Sequence, residues 1–365
     1  MFLKIIDWYI LKRFLVTFVF TLLILIPIAI AIDVSEKIDN FLEHPNLGLS
    51  EILSDYYINF IIYYTNTFMP LALFIAVILF TSKLSNNTEI IAITNAKVSF
   101  TRFLYPYFIG ATMVTLMSLA MNHYVVPNSS KVRKGFEKKY ISNSKQMNEL
   151  KYVSDFSLQL TDSTYIFIRN FNTENNTGYD FNSETYKGLE LKSKLSADRL
   201  IYNPKDSTFS LLNWRKRLIF KDRDSIFSGN KLDTLFNFTP RDLIYKSAFA
   251  QEMPSDELLD FIKISKKRGV KNLNAYLVEL YKRTSLPIAS YILTIIAVAL
   301  AFRKRRGGTG ANLAVGVGIM FLYVFFMKVG EVLGSVAGVN SLWYVWIPNI
   351  LFGSIAIYLY FHARK

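Results

Sequence analysis

The sequence predicts a membrane α-helical protein with six transmembrane helices, arranged three plus three, and a β-jelly-roll-like domain inserted between the two halves. Three observations carry that fold class. Six runs of about 20 apolar residues are each long enough to cross a bilayer. About 150 residues lacking any such run separate the third from the fourth, a length typical of one domain. That separating stretch shows the period-two alternation of half-buried strands instead of a helical period.

The apolar blocks fall at Phe14–Ile32, Tyr56–Phe80, Phe103–Tyr124, Leu280–Phe302, Ala311–Ser335 and Leu342–Phe361. Asn59, Asn66 and Asn122 interrupt the second and third without ending them. Of the 365 residues 52% are apolar, and their gathering into blocks sets the chain apart from a soluble protein of this size. Ala29-Ile30-Ala31 resembles a signal-peptidase site, yet the preceding run exceeds an ordinary signal h-region, so the first helix is read as a retained span.

Orientation follows from the placement of Lys and Arg in short loops. Lys4, Lys12, Arg13, Lys83, Lys97, Arg102, Arg303, Lys304, Arg305, Arg306, Arg364 and Lys365 all fall on one side. The short loops of the other side carry Lys37 alone, among Asp33, Glu36, Asp39, Glu43, Glu51 and Asp55. The rule therefore puts both termini in the cytoplasm and the large middle domain on the outer side of the membrane. Expected segments are 1–127 for the first three helices, 128–277 for the outer domain with a helical return, and 278–365 for the last three.

Within the outer domain, Leu189, Leu191 and Leu195 alternate with Glu190, Lys192 and Lys194. Tyr165-Ile166-Phe167-Ile168 and Leu218-Ile219-Phe220 are further strand candidates, and Asn203-Pro204-Lys205-Asp206 reads as a turn. Thr239-Pro240 has the form of a helix start. A second helix is expected from Ser255, with Asp256 and Glu257 in its first turn, Lys266-Lys267-Arg268 in its last, and an end near Gly269.

Composition excludes several functions. No cysteine is present, and His44, His123 and His362 are too dispersed to form a zinc cluster, so neither a metal site nor a cofactor is expected. Phosphate-cradling, serine-hydrolase and zincin motifs are all missing; Gly307-Gly308-Thr309-Gly310 reads as a flexible loop. The formal charge of +14 does not form one stripe, which argues against nucleic acid.

Three constellations remain. The loop between helices two and three holds a short helix at about 85–97, with Asn86 as N-cap and Glu89 three residues on as in a capping box, then Ile90, Ile91 and Ala92. Thr88 lies between them. Such a helix could anchor the loop at the membrane surface or fill a groove in a partner; both readings stand. Helix five carries Gly330, Gly334 and Gly338 at small-xxx-small spacing, suited to close helix packing within the chain. Lys328 and Glu331 share a face there, either as a structural ion pair or as a substrate contact. Residues 128–271 hold 26 Lys and Arg against 18 Asp and Glu. Arg215-Lys216-Arg217 and Lys266-Lys267-Arg268 read as solvated faces, whereas Lys131, Arg133 and Lys134 emerge at the membrane surface, where lipid phosphates lie.

Asp7-Trp8-Tyr9-Ile10-Leu11-Lys12, Thr88-Glu89-Ile90-Ile91-Ala92-Ile93, Val125-Val126-Pro127 and Ser285-Leu286-Pro287 follow in this order along the chain, and the ordered set resembles the LptF/LptG permeases of lipopolysaccharide export. Asp7-Trp8-Tyr9-Ile10-Leu11-Lys12 is similar to the start that precedes that family's first helix. Thr88-Glu89-Ile90-Ile91-Ala92-Ile93 with Phe100-Thr101-Arg102 resembles its coupling helix, and Val125-Val126-Pro127 its exit from helix three. Phe238-Thr239-Pro240-Arg241-Asp242-Leu243 and Ser285-Leu286-Pro287 match further landmarks. The resemblance spans nearly the whole chain and leans toward the LptG type.

It implies a permease subunit that extracts lipopolysaccharide from the outer leaflet of the inner membrane. The implied partners are a second LptF/LptG-type permease, a dimeric cytoplasmic ABC ATPase docked on the coupling helix, and periplasmic jelly-roll bridge proteins. Asn86, Thr88, Glu89, Ile90, Ile91 and Ala92 become ATPase-coupling candidates. Lys37, Lys131, Arg133, Lys134, Lys328 and Glu331 become lipid-cavity candidates, Lys37 being the single cation near the outer end of helix one, where LptG-type members tend to carry one. Two rival readings are a transporter subunit for another amphiphile and a scaffold that displays a β-domain.

Overall fold

The computed structural model describes residues 4–141, 152–204, 206–220, 223–236, 238, 240, 247–268, 270, 273–303 and 308–364. The membrane half is α1 (Ile5–Leu42), α2 (Leu49–Asn86), a short α3 (Glu89–Asn95), α4 (Phe100–Tyr140), and, after the outer domain, α6 (Asn274–Phe302), α7 (Gly308–Gly334) and α8 (Ser341–Arg364). Between them lie β1 (Tyr152–Thr161), β2 (Thr164–Asn172), β3 (Thr177–Lys187), β4 (Glu190–Asn203), β5 (Thr208–Ile219), β6 (Asp224–Thr234) and α5 (Ser255–Lys267).

All six expected spans are helices long and apolar enough to cross a membrane. Several run well beyond their apolar cores. α1 has 38 residues, about 57 Å at 1.5 Å per residue against about 30 Å of hydrocarbon. Val125-Val126-Pro127 does not end helix three. A π-helical turn over Met121–Val125 leads into Val126–Tyr140, with Pro127 in the first turn of that α-helical stretch, where a missing N–H costs little. The compact membrane unit accordingly includes Met1–Ile141, Ala250–Leu258 and Asn274–Lys365, and reaches past the boundary expected at 127.

Proline inside a span frees the carbonyl four residues earlier, and in lipid that group must find another partner. In α6, Pro287 frees the carbonyl of Arg283, which accepts from Asn122 Nδ2 at 3.4 Å. Asn122 Oδ1 in turn accepts from Asn66 at 2.7 Å, and Asn66 Oδ1 from Ser118 at 2.9 Å, tying α2, α4 and α6 together. In α8, Pro348 frees the Tyr344 carbonyl, which leans against Gly330 of α7. Gly334 also meets α8, as well as Val278 of α6, whereas Gly338 lies beyond the end of α7 at φ +83°. The three glycines therefore do not share one helical face.

The second unit comprises Ser142–Phe249 and Leu259–Leu273. Its described strands form one antiparallel sheet in the order β1-β2-β3-β4-β5-β6, a meander. Ile166 and Ile168 face inward from β2 as their alternation requires, with Phe171, Phe181, Leu200, Phe209 and Leu211 completing a buried aromatic-rich core. Each such side chain contributes about 1.5–3 kcal/mol by leaving water. The β4 alternation is less regular than its sequence suggests: Leu189 sits in the preceding turn, fully exposed, and Ala197 and Leu200 are the buried residues. α5 starts at Ser255 as expected. The helix start read at Thr239-Pro240 and the end near Gly269 lie at or outside the limits of the described residues.

Candidate functional site

Two regions at opposite ends of the helical bundle gather the candidate residues. The first is at the end carrying both termini. α2 continues through Asn86, so Asn86 is no N-cap; it donates to Thr309 Oγ1 at 2.7 Å. The cap position belongs to Thr88, in the left-handed region at φ 64°, with no side-chain cap bond. The expected capping box is thus absent, because the register of α2 places its last turn where the box would have begun.

α3 is seven residues long and is held by packing: Ile90 is buried in the bundle core and Ile93 partly so. Ile91 and Ala92 point away from the bundle and are exposed. Glu89 accepts from Tyr9 of α1 at 3.2 Å and from Asn87 at 3.1 Å, so its carboxylate is tied to α1. Asp7, buried, forms an ion pair with Arg102 at the start of α4 and accepts from the Lys4 backbone N–H at 2.7 Å. Two separated sequence motifs thereby meet as one clamp beside α3.

The second region is at the opposite end. Lys37 bonds Asp33 one helical turn away at 2.7 Å and donates to Tyr56; Glu137 stands 3.9 Å from it. Arg133 is buried, 3.7 Å from Glu137 and 4.4 Å above the Tyr63 ring. Lys37 and Arg133 are therefore engaged inside α1, α2 and α4. Lys131 is exposed and Lys134 half-buried.

Across the same end, Lys282 bridges Glu279 at 2.7 Å and Glu331 at 3.1 Å, and Glu331 also pairs with Lys328 at 2.9 Å. Lys328 and Glu331 do pair as their spacing suggests, but Lys282 is the hub. Arg283, 2% exposed, donates to Ser255 Oγ and to the carbonyls of Ala250 and Met253 at 2.8, 2.9 and 2.8 Å. Burial pushes the Glu252 carboxyl up from its ordinary range, and Lys134, Lys131 and Lys138 pull it back only in part.

Sequence reasoning missed Asp33, Tyr56, Glu137, Glu279, Lys282 and Arg283. The signals were there: Asp33 and Lys37 are four apart, as are Glu279 and Arg283, inside or beside apolar spans. Ionisable groups at such places face a cavity or each other. No group of His, Cys, Asp or Glu able to hold a metal occurs among the described residues.

A six-span membrane protein with an antiparallel β-domain between its third and fourth helices, and charge gathered at one end of the bundle, has the architecture of a transporter subunit. The chain belongs to the LptF/LptG family, described as the lipopolysaccharide export system permease, which it matches over residues 8–362. Comparison with curated proteins gave no match. Membership makes the chain a multi-pass inner-membrane protein of the lipopolysaccharide export system.

Proposed function

We propose that this permease extracts lipopolysaccharide from the outer leaflet of the inner membrane and passes it to a periplasmic bridge, driven by a separate cytoplasmic ATPase. The observation that carries the reading is the seating of α3. Ile90 and Ile93 fix it to the bundle while Ile91 and Ala92 are left outward, an apolar pair on a short helix where a partner groove would grip. Force applied there reaches α1 through the Tyr9–Glu89 bond and α2 through the short Asn87-Thr88 link.

The asymmetry of basic loops supports a cytoplasmic position for α3 and for both termini, with the β-domain periplasmic. α1 and α7 carry broad exposed apolar faces, including Ile24, Ile28, Ile32, Phe321 and Phe325, which suits a second permease of the same family as neighbour. At the far end, exposed Lys131 is the cation we assign to lipid phosphate, since Lys37, Arg133 and Lys328 are engaged within the bundle.

The test is affinity purification from native membranes in mild detergent, with mass spectrometry of accompanying proteins and lipids. An ATPase, a second permease and lipopolysaccharide are expected. Ile91→Asp, which disturbs no packing within the bundle, reduces recovery of the ATPase at least tenfold. Recovery of the β-domain's partners with no ATPase from wild type would instead support the scaffold reading, and a different co-purifying lipid would discard the cargo.

A further inference from the structure

Neither α3's outward face nor the charged far end accounts for a cleft of about 410 Å³ between α1 and α2, at the end carrying the termini. Tyr9, Arg13 and Thr17 recur every fourth residue along α1 and line one wall. Lys83 stands opposite on α2, and buried Phe80 and Leu84 form the floor. Deeper along both helices the lining turns apolar, with Val16 and Leu79. The cleft is therefore polar at its rim and apolar toward the membrane.

Its charge is unbalanced. Glu89 at the rim is satisfied by two neutral donors, the Tyr9 hydroxyl and the Asn87 amide. Among the described residues neither Arg13 nor Lys83 has an ion-pair partner; Arg13 only lies 5.8 Å from the Tyr9 ring centre. Two cations and one carboxylate give the charge complement of a single phosphodiester. Val16 also borders a second, apolar groove of about 530 Å³ with Val19 and Phe20, both more than half exposed. A ligand with one anionic head and a long apolar tail fits this continuity, and a soluble anion does not use it.

We propose that this cleft binds an anionic glycerophospholipid, its phosphodiester between Arg13 and Lys83 and an acyl chain running past Val16 along α1. The bound lipid would lie against the Tyr9–Glu89 bond, so occupancy braces α3 against α1. This site is separate from any lipopolysaccharide cavity, which the far end would serve. The inference rests on the bundle spanning the membrane and on no partner.

The test uses the full chain in bilayers of equal phosphatidylglycerol and phosphatidylcholine, followed by native mass spectrometry of retained lipid. Wild type is expected to retain phosphatidylglycerol about 30-fold over phosphatidylcholine, the scale of two basic contacts at a membrane surface. Arg13→Gln with Lys83→Gln abolishes the preference. Val16→Trp, which keeps both cations and fills the apolar wall, lowers total retention. Lys4→Gln with Lys97→Gln removes equal charge at the same end and leaves the preference intact. Equal retention of the two lipids by wild type overturns the site, as does loss of preference in the Lys4/Lys97 variant to the same degree. If wild type shows no preference and the Arg13/Lys83 variant instead loses a co-purifying polypeptide, the cations serve a protein partner and the lipid site is wrong.

Discussion

Gly330→Ala isolates the closest approach between two spans. A Cβ built at Gly330 would come within 3.0 Å of the Tyr344 carbonyl oxygen and 3.7 Å of Pro348 Cγ. The obstacle is backbone, so it cannot turn aside as a side-chain tip would. Pro348 also deprives that carbonyl of its helical donor and frees it to lean on α7. Crowding of this kind costs about 1–3 kcal/mol, while Ala in place of Gly inside a helix returns about 0.5–1 kcal/mol. Gly318→Ala collects the gain alone, because nothing lies within 4 Å of its built Cβ on the same helix. Gly334→Ala is intermediate, since its contacts are the Val278 and Tyr344 side chains at 3.0 and 3.2 Å. Unfolding midpoints in detergent should therefore rank Gly318→Ala highest, then Gly334→Ala, then Gly330→Ala, with about 1–3 kcal/mol between the extremes. Equal stability of Gly330→Ala and Gly318→Ala would refute the close contact of α7 with α8. Equal stability of all three, with loss of permease pairing in Gly330→Ala, would move the glycines to an interface between subunits.

Two further expectations follow from charge. Arg102→Ala leaves Asp7 buried without its cation and should cost about 3–5 kcal/mol; adding Asp7→Asn should restore much of that, and a full additive loss in the double-mutant cycle would show that the pair does not interact. The folded-state pKa of Glu252 is raised, chiefly by burial, so its contribution favours the fold below the ordinary carboxylate range and is lost as pH rises through the folded value. Glu252→Gln, neutral throughout, should therefore gain thermal stability relative to wild type as pH goes from 4 to 7. An unchanged difference across that range would mean the carboxyl is not desolvated.

The number, order and approximate cores of the six helices were legible in the sequence, because bilayer thickness converts directly into a run length of apolar residues. So was the inserted β-domain, where the alternation of Tyr165 to Ile168 marks one face of β2 without reference to anything distant. The position of α3 was legible to within a few residues, but its cap was not: whether Asn86 opens one helix or closes another depends on how far α2 continues, which the burial of its own Ile78 and Leu84 in the bundle core decides. The same reason moved the end of helix three from Pro127 to Tyr140, since a proline in the first turn of an α-helical stretch is compatible with continuation.

Charge partners divide along the same line. Lys328 with Glu331 and Asp33 with Lys37 are neighbours on one helix and follow from spacing alone. Lys282 with Glu331, Arg102 with Asp7 and Tyr9 with Glu89 join residues 49, 95 and 80 positions apart. A periodic pattern specifies which face of a helix is apolar; it carries no information about which other helix that face meets. The sequence by itself therefore determined the membrane spans, their order and the family, all of which are properties of local hydrophobic length and motif order. Only the tertiary structure decided which cations are neutralised within the bundle and which remain available to a lipid or a partner, because that depends on long-range contacts that helix packing alone creates.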